Sequence, residues 1–222
     1  MFFIDQDKLI QGDLETWALG YHKVLLHGTL TRQTYPYPIM QYDYSKRHLL
    51  YAYVNDRILA DVPVDYLEFG VAQGDSLRRW VNINQHPQSR FFGFDTFEGL
   101  PEAWFDNKVG AFSNNGAFPS INDSRITYHK GLFQKTLRPF LSSYRQQNRM
   151  VIHLDADLHS ATLYTLMNLD PYIKPGTILI FDEFIAEHEF AAFYQWSTSC
   201  YRDWKIGAAR NDYLKLAIEV RR

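Results

Sequence analysis

Glu68, Asp95, Asp155, Asp157, Asp182 and Glu183 are the carboxylates best placed to do chemistry. Each stands at or beside the end of an apolar, β-branched or aromatic run that reads as a buried strand. The runs are VDYLEFGVAQGDS (64–76), RFFGFDTFEGLP (90–101), VIHLDAD (151–157) and TILIFDEF (177–184). Ligands of open parallel α/β sheets bind outside the carboxyl ends of the strands, so these acids are expected to line one cleft. A hydroxyl-rich, partly cationic cofactor fits such a cleft. Asp155 and Asp157 are two apart, and an extended backbone would turn both to one side. Asp182 and Glu183 end the next strand. Carboxylates converging there raise each other's pKa unless a cation sits between them. A hard divalent ion with oxygen ligands, Mg²⁺ ahead of Ca²⁺ or Mn²⁺, resolves that conflict. The competing reading is that some of these acids cap helices. His153, within the strand, reads as a hydrogen-bonded core histidine, whereas His159 falls on the expected cleft side as a candidate base.

Gly70 and Gly74 bracket the turn after the first run, in the stretch Glu68–Ser76. They let the backbone turn tightly and approach a ligand with no Cβ in the way. Asp75 or Ser76 is expected to cap the following helix, whose first N–H groups favour an anionic group. A dinucleotide site would show Gly-x-Gly-x-x-Gly. The spacing here is Gly-x-x-x-Gly, with Ala72 between. Asp95 can accept two hydrogen bonds from a ribose diol, or serve as a turn acid in DTFEGLP.

The elements that must position these residues alternate from Val64 onward. Strands are expected at 64–71, 90–95, 125–131, 149–155 and 177–182. Helices are expected from 75 or 76 to 83, and over 135–147, 160–173 and 186–202. WKIGAAR and DYLKLAIEV, with no helix between them, read as a terminal antiparallel hairpin. This order predicts a doubly wound, Rossmann-like α/β sheet, mostly parallel, with a reversed last strand. Upstream, Trp17, Tyr21, Val24 and Leu25 are spaced for one helical face, and 29–44 reads as loop. Residues 46–60 read as a helix burying Leu49, Leu50, Tyr53, Ile58 and Leu59 and ended by Pro63. The expected organisation is one structural domain, with a helical lid segment over 1–63 and the sheet over 64–222.

At 222 residues the chain is long enough to bury a sizeable core. Cys200 stands alone, which excludes an intrachain disulfide and a thiolate-rich zinc site. The start lacks a basic leader region and no run is long and apolar enough to span a bilayer, so a cytoplasmic protein without membrane contact is expected. A net charge of −2 with no basic block forecasts no nucleic-acid surface. A homodimer is left open.

At these residues the chain resembles class I S-adenosylmethionine-dependent methyltransferases, and within them the macrocin O-methyltransferase (TylF-type) family. LEFGVAQGDS, FDTFEGLP, HKGLFQKTL, LDADLHSAT and KPGTILIFDEF carry the resemblance, in family order, over about 64–184. It implies a seven-stranded sheet with a reversed last strand and methylation of sugar hydroxyls in natural products. It also implies that Glu68, Gly70 and Gly74 contact the cofactor's methionine end and shape its turn, with Ser76 nearby. Asp95 would take the ribose, with Thr96 and Phe97 beside the adenosine. Asp155, Asp182 and Glu183 match positions that hold Mg²⁺ in metal-dependent relatives. The chain departs from the family at His159, usually Tyr, at Glu183, usually Asp, and at Thr177, usually Gly. Leu158 stands where some relatives carry a basic residue.

The expected reaction is methyl transfer from S-adenosylmethionine to a hydroxyl of a small-molecule acceptor, a sugar or other vicinal diol. Asp155 or Asp157 would accept the proton, with His159 as the alternative. Residues 29–44 and 98–124 would form lids. Two rival readings remain. Asp155-Ala156-Asp157 matches the Asp-x-Asp of metal-dependent nucleotide-sugar glycosyltransferases, against which the glycine turn and Asp95 argue. A non-catalytic Rossmann-like module is the other.

Overall fold

The computed structural model describes residues 14–33, 35–41, 46 and 48–222, with side chains from residue 21 onward. Strand β2 (Val64–Phe69) lies at its centre, and all of its residues are buried. It pairs in parallel with β3 (Arg90–Asp95) on one side and β5 (Arg149–Leu154) on the other. The remaining strands are β1 (Ile39–Met40), β4 (Ile126–Lys130), β6 (Ile178–Phe181), β7 (Trp204–Arg210) and β8 (Leu216–Val220). The sheet runs β1-β7-β8-β6-β5-β2-β3-β4, and only β8 opposes its neighbours.

Alternation along the strands sends side chains to two separate cores. Leu67, Phe69, Met150, Ile152 and Leu154 pack under α4 (Phe133–Ser143), α5 (His159–Leu169) and α6 (Glu189–Ser199). Val64, Tyr66, Val151, Ile178 and Ile180 pack under α2 (His48–Tyr53) and α3 (Asp75–Ile83). Phe69 and Phe94 stack at 4.7 Å between ring centres in the first core, where each fully buried ring contributes about 1.5–3 kcal/mol.

Asp65 secures the end of β2 farthest from the cleft. Arg90 donates to both of its oxygens at 2.9 and 2.5 Å, and the Tyr144 hydroxyl and Gln147 N–H add bonds of 2.8 and 2.9 Å. Burial alone would raise its pKa, but these donors outweigh it and hold the carboxyl below its usual range.

Four expectations need correction. Residues 29–44 are not all loop, because α1 (Leu14–Thr31) extends into them and Ile39–Met40 pairs with β7, adding an eighth strand. In α1, Tyr21 and Val24 are 52% and 69% exposed, while Leu25, Leu26 and Leu30 pack on the core. The Trp17 side chain lies outside the described residues. The helix after α2 widens to a π-helical turn (Val54–Leu59) and stops at two left-handed residues, Ala60 and Asp61, before Pro63 is reached. Leu49 is 46% exposed, because the widened turn and the docking of Leu50 and Tyr51 face the helix the other way. No helix among the described residues is long and apolar enough to cross a membrane.

Candidate active site

The turn after β2 is built around two contacts. Gly70 has φ +95°, and a Cβ there would lie 1.7 Å from the Asp155 carbonyl oxygen. Glycine is therefore required for the ends of β2 and β5 to approach each other. Beyond it, the Val71 and Ala72 N–H groups donate to Asp95 Oδ2 at 2.7 and 2.8 Å, and the Phe97 N–H donates to Oδ1 at 2.6 Å. Asp95 thus binds the two loops together through charge-assisted bonds. Gly74 caps the start of α3 at φ +79°, and a Cβ there would meet Pro119 Cβ at 2.7 Å. Its place is set by the 98–124 segment folding over the turn. The expected side-chain cap is not made. Ser76 Oγ donates instead to Glu68 Oε1 at 2.6 Å, and Asp75 pairs with Arg78.

A cavity of about 470 Å³ opens over the ends of β2, β3, β5 and β6. Gly70, Ser76, Asp95, Thr96, Asp155, Asp157, Asp182 and Glu183 line it together. Glu68 and Phe97 lie fully buried beneath the wall, Phe97 edge-on to Phe118 and Tyr128. His159 starts α5 with Nε2 3.1 Å from Gln195 Oε1 of α6, and it is not among the lining residues. The 98–124 segment contributes Gly99, Leu100, Trp104 and Phe112, whereas no described residue of 29–44 lines the space.

The extended geometry expected for Asp155–Asp157 does not hold. β5 ends at Leu154, and Asp157 turns into the left-handed region at φ +60°. Both residues still line the cavity. Burial first, then Asp155, Glu183 and Asp95, push the Asp157 carboxyl up to about 8. Burial and Asp155 raise Glu183 as well. Glu189, fully buried at the start of α6, accepts the Glu183 N–H through Oε2 at 3.1 Å, while Oε1 has no hydrogen-bond partner. Its pKa is driven well above the carboxylate range by burial, then by Asp155. His153, Asp155 and Asp182 offer ligand atoms within 4.8 Å of one another. Asp155 and Asp182 supply the oxygen ligands a hard divalent cation takes, His153 adds a nitrogen, and Glu183 lies outside that group of three.

Behind the wall runs a buried polar chain on the α2/α3 face. Glu68 accepts from Ser76 and, at 2.5 Å, from the Tyr66 hydroxyl, which lies 2.6 Å from His153 Nδ1. His153 Nε2 is 3.4 Å from Asp182 Oδ1, which also accepts from the Tyr51 hydroxyl at 3.1 Å and from Lys215 Nζ. Burial raises Glu68 to about 8 despite the Ser76 and Tyr66 donors. Sequence reasoning placed His153 as a hydrogen-bonded core residue but missed Tyr51, Tyr66, Glu189 and Lys215. A usable signal was Lys215 interrupting the apolar run Leu214–Ile218.

A doubly wound sheet with one reversed strand and a cavity over its central strand ends is the Rossmann-like methyltransferase fold. The model of the methyltransferase-domain family Methyltransf_24 matches residues 67–184, more than half of the 222, and the chain belongs to that family. A Streptomyces olivaceus protein, "8-demethyl-8-(2,3-dimethoxy-alpha-L-rhamnosyl)-tetracenomycin-C 4'-O-methyltransferase", is 30% identical over 154 residues. The match covers 60% of this chain and 58% of that protein, so less than two thirds of the relative's length is spanned. Among solved structures, the calicheamicin methyltransferase CalS11 aligns at 20% identity and TM-score 0.61, covering 94% of this chain and 93% of that one. The O-methyltransferase NovP aligns at 20% and 0.60, covering 93% and 99%. A Bacillus cereus O-methyltransferase in complex with SAH aligns at 13% and 0.54, covering 98% and 94%. These three likenesses are of fold.

Proposed function

We propose that this protein transfers the methyl group of S-adenosylmethionine to a hydroxyl of a sugar or other small natural product, in the manner of the TylF-type family. The observation that carries the reading is the single cavity joining the Val71–Ala72–Asp95 turn to the acids of β5 and β6. The first side suits a ribose and a methionine end, and the second suits an acceptor hydroxyl. The rhamnosyl methyltransferase relative supports the choice of a sugar acceptor.

The sulfonium is already a good leaving group, so the protein must align three atoms and remove one proton. Alignment can supply about 7–11 kcal/mol in favourable cases. We assign cofactor positioning to Gly70, Ser76, Asp95 and Thr96, with Glu68 fixing Ser76 from below. Asp157, which lines the acid half of the cavity, is the assigned proton acceptor, with Asp155 beside it. Asp155, Asp182 and Glu183 would hold Mg²⁺, which when bound lowers the pKa of the acceptor hydroxyl. Trp104 and Phe112 of the 98–124 segment cover the cavity and limit water.

The test is incubation with S-adenosylmethionine and a panel of rhamnosylated aromatic acceptors, read by mass spectrometry. A product one methyl heavier, formed together with S-adenosylhomocysteine, is expected. No methylated product, together with no calorimetric binding of S-adenosylhomocysteine, would overturn the proposal.

A further inference from the structure

We propose that Lys215 is the resident counter-ion of the acid cluster, holding Asp182 from behind the cavity wall and weakening the cluster's grip on a divalent cation. Sheet topology puts it there. Every strand around the cavity delivers its carboxyl end to the ligand side except β8, which runs the other way. Leu216 of β8 pairs with Phe181 of β6, so Lys215, one residue before, arrives beside Asp182, one residue after. A reversed strand is thus the means by which the sheet brings the start of a strand, and here a cation, to its ligand edge.

The local geometry is that of an enclosed ion pair. Lys215 is 1% exposed, and its Nζ contacts Asp182 Oδ1. It also donates to the Tyr51 hydroxyl at 2.9 Å and lies 5.1 Å from the centre of the Tyr51 ring. The Tyr51 hydroxyl donates to the same Asp182 oxygen, so the ammonium and the phenol grip one lone-pair region together. Tyr51 and Asp182 line the cavity and Lys215 does not, which makes it a positioning residue. The Lys215 contact, the Tyr51 bond and the His153 approach all fall on Oδ1.

Two physical consequences follow. An ammonium at contact distance offsets part of the mutual repulsion among Asp155, Asp157, Asp182 and Glu183, so the cluster can fold before any divalent ion arrives. The same ammonium repels an incoming divalent cation and competes with it for Asp182, at short range and in a poorly screened interior. Removing the charge should tighten cation binding and make folding depend on the cation.

This inference rests on the proposed function only in taking Asp182 as one of the cation's ligands. Its test is calorimetric titration of the full chain with Mn²⁺ alone, for the native protein, Lys215→Met and Lys215→Arg. Lys215→Met should bind Mn²⁺ at least tenfold more tightly than the native protein, and Lys215→Arg within a few-fold of it. In melting curves, Lys215→Met should lose stability in EDTA and recover it in Mn²⁺, while the native protein changes little. If Lys215→Met folds only in Mn²⁺, that is the same result in a stronger form. Unchanged or weaker Mn²⁺ affinity in a folded Lys215→Met, or failure to fold in both conditions, would overturn the proposal. Under the proposed function, binding of S-adenosylhomocysteine involves neither Lys215, which does not line the cavity, nor Mn²⁺. Its absence alongside the expected Mn²⁺ result would sink the methyltransferase reading and leave this inference standing.

Discussion

Asp95 holds the scaffold together, and the proposed function asks the same acid to hold a ligand. Its two oxygens already accept three backbone N–H groups, from Val71, Ala72 and Phe97, and the residue lines the cavity. Asp95→Ala should weaken S-adenosylhomocysteine binding by about 1–3 kcal/mol and also lower the melting temperature, since three donors lose their acceptor. Asp95→Asn, which keeps one acceptor oxygen, should fall between. An Ala variant with native affinity by calorimetry would remove Asp95 from the cofactor site. Glu68 gives a pH prediction. Its pKa is about 8 in the folded protein and near 4.5 unfolded, so the folded state holds the proton more tightly. That contribution is fully present below about pH 4.5 and is lost as pH rises through 8. Glu68→Gln imitates the protonated acid. The native protein should therefore lose more stability than Glu68→Gln between pH 5 and pH 8.5, and parallel stability curves would contradict the assignment. Asp95 was legible because an acid after an apolar strand has a position fixed by its own run. Glu68's partners were not, because Tyr66 is its own strand neighbour but Ser76 and His153 come from α3 and β5.

Among the elements, the β2 and β5 ends constrain each other most tightly. Gly70→Ala would place a methyl group 1.7 Å from the Asp155 carbonyl in a backbone region that L residues avoid. Destabilisation of about 4 kcal/mol or more is expected, measured as a shift in the urea midpoint. A midpoint within experimental scatter of the native one would show that the strands separate without cost. The alternating strands and helices from β2 to β8 were legible because each strand is an apolar run stopped abruptly by Gly or a polar residue. Ile39–Met40 was not, since two residues carry no period and owe their strand character to Ala209 and Arg210 across the edge. The π-helical turn at Val54–Leu59 was hidden for a related reason. Its apolar spacing continues that of α2, and only the fully buried Asn55, bonded to Asn84 and Asp61, marks the change. For α1, spacing identified a helix but not its docked face. Leu26 and Leu30 reach the core where Tyr21 and Val24 do not.

At the scale of the whole molecule, function follows from where the winding of the sheet reverses. From β2 the chain moves outward through β3 and β4, then crosses back to β5, continues to β6 and β7, and returns between those two as β8. The cavity stands over that reversal, as expected for a doubly wound sheet, and under the proposed function its β2–β3 side takes the cofactor and its β5–β6 acids serve the acceptor. The two halves should therefore be separable by experiment. S-adenosylhomocysteine at about a hundred times its Kd should stabilise the protein by about 2.7 kcal/mol. That is a rise of roughly 5–10 °C in melting temperature for a chain of this size. The shift should be the same in EDTA and in Mg²⁺, and UDP-sugars should give none. Turnover should instead vanish in EDTA and return with Mg²⁺. Asp182→Asn is the informative variant for the acid half, because its amide oxygen still accepts from Lys215 and Tyr51 while the charge is gone. It should lower turnover roughly a hundredfold or more and leave S-adenosylhomocysteine affinity nearly native. Full turnover in EDTA would move the acids of β5 and β6 from cation binding to direct proton transfer. A thermal shift with UDP-sugar and none with S-adenosylhomocysteine would turn Asp155-Ala156-Asp157 into the signature of a glycosyltransferase.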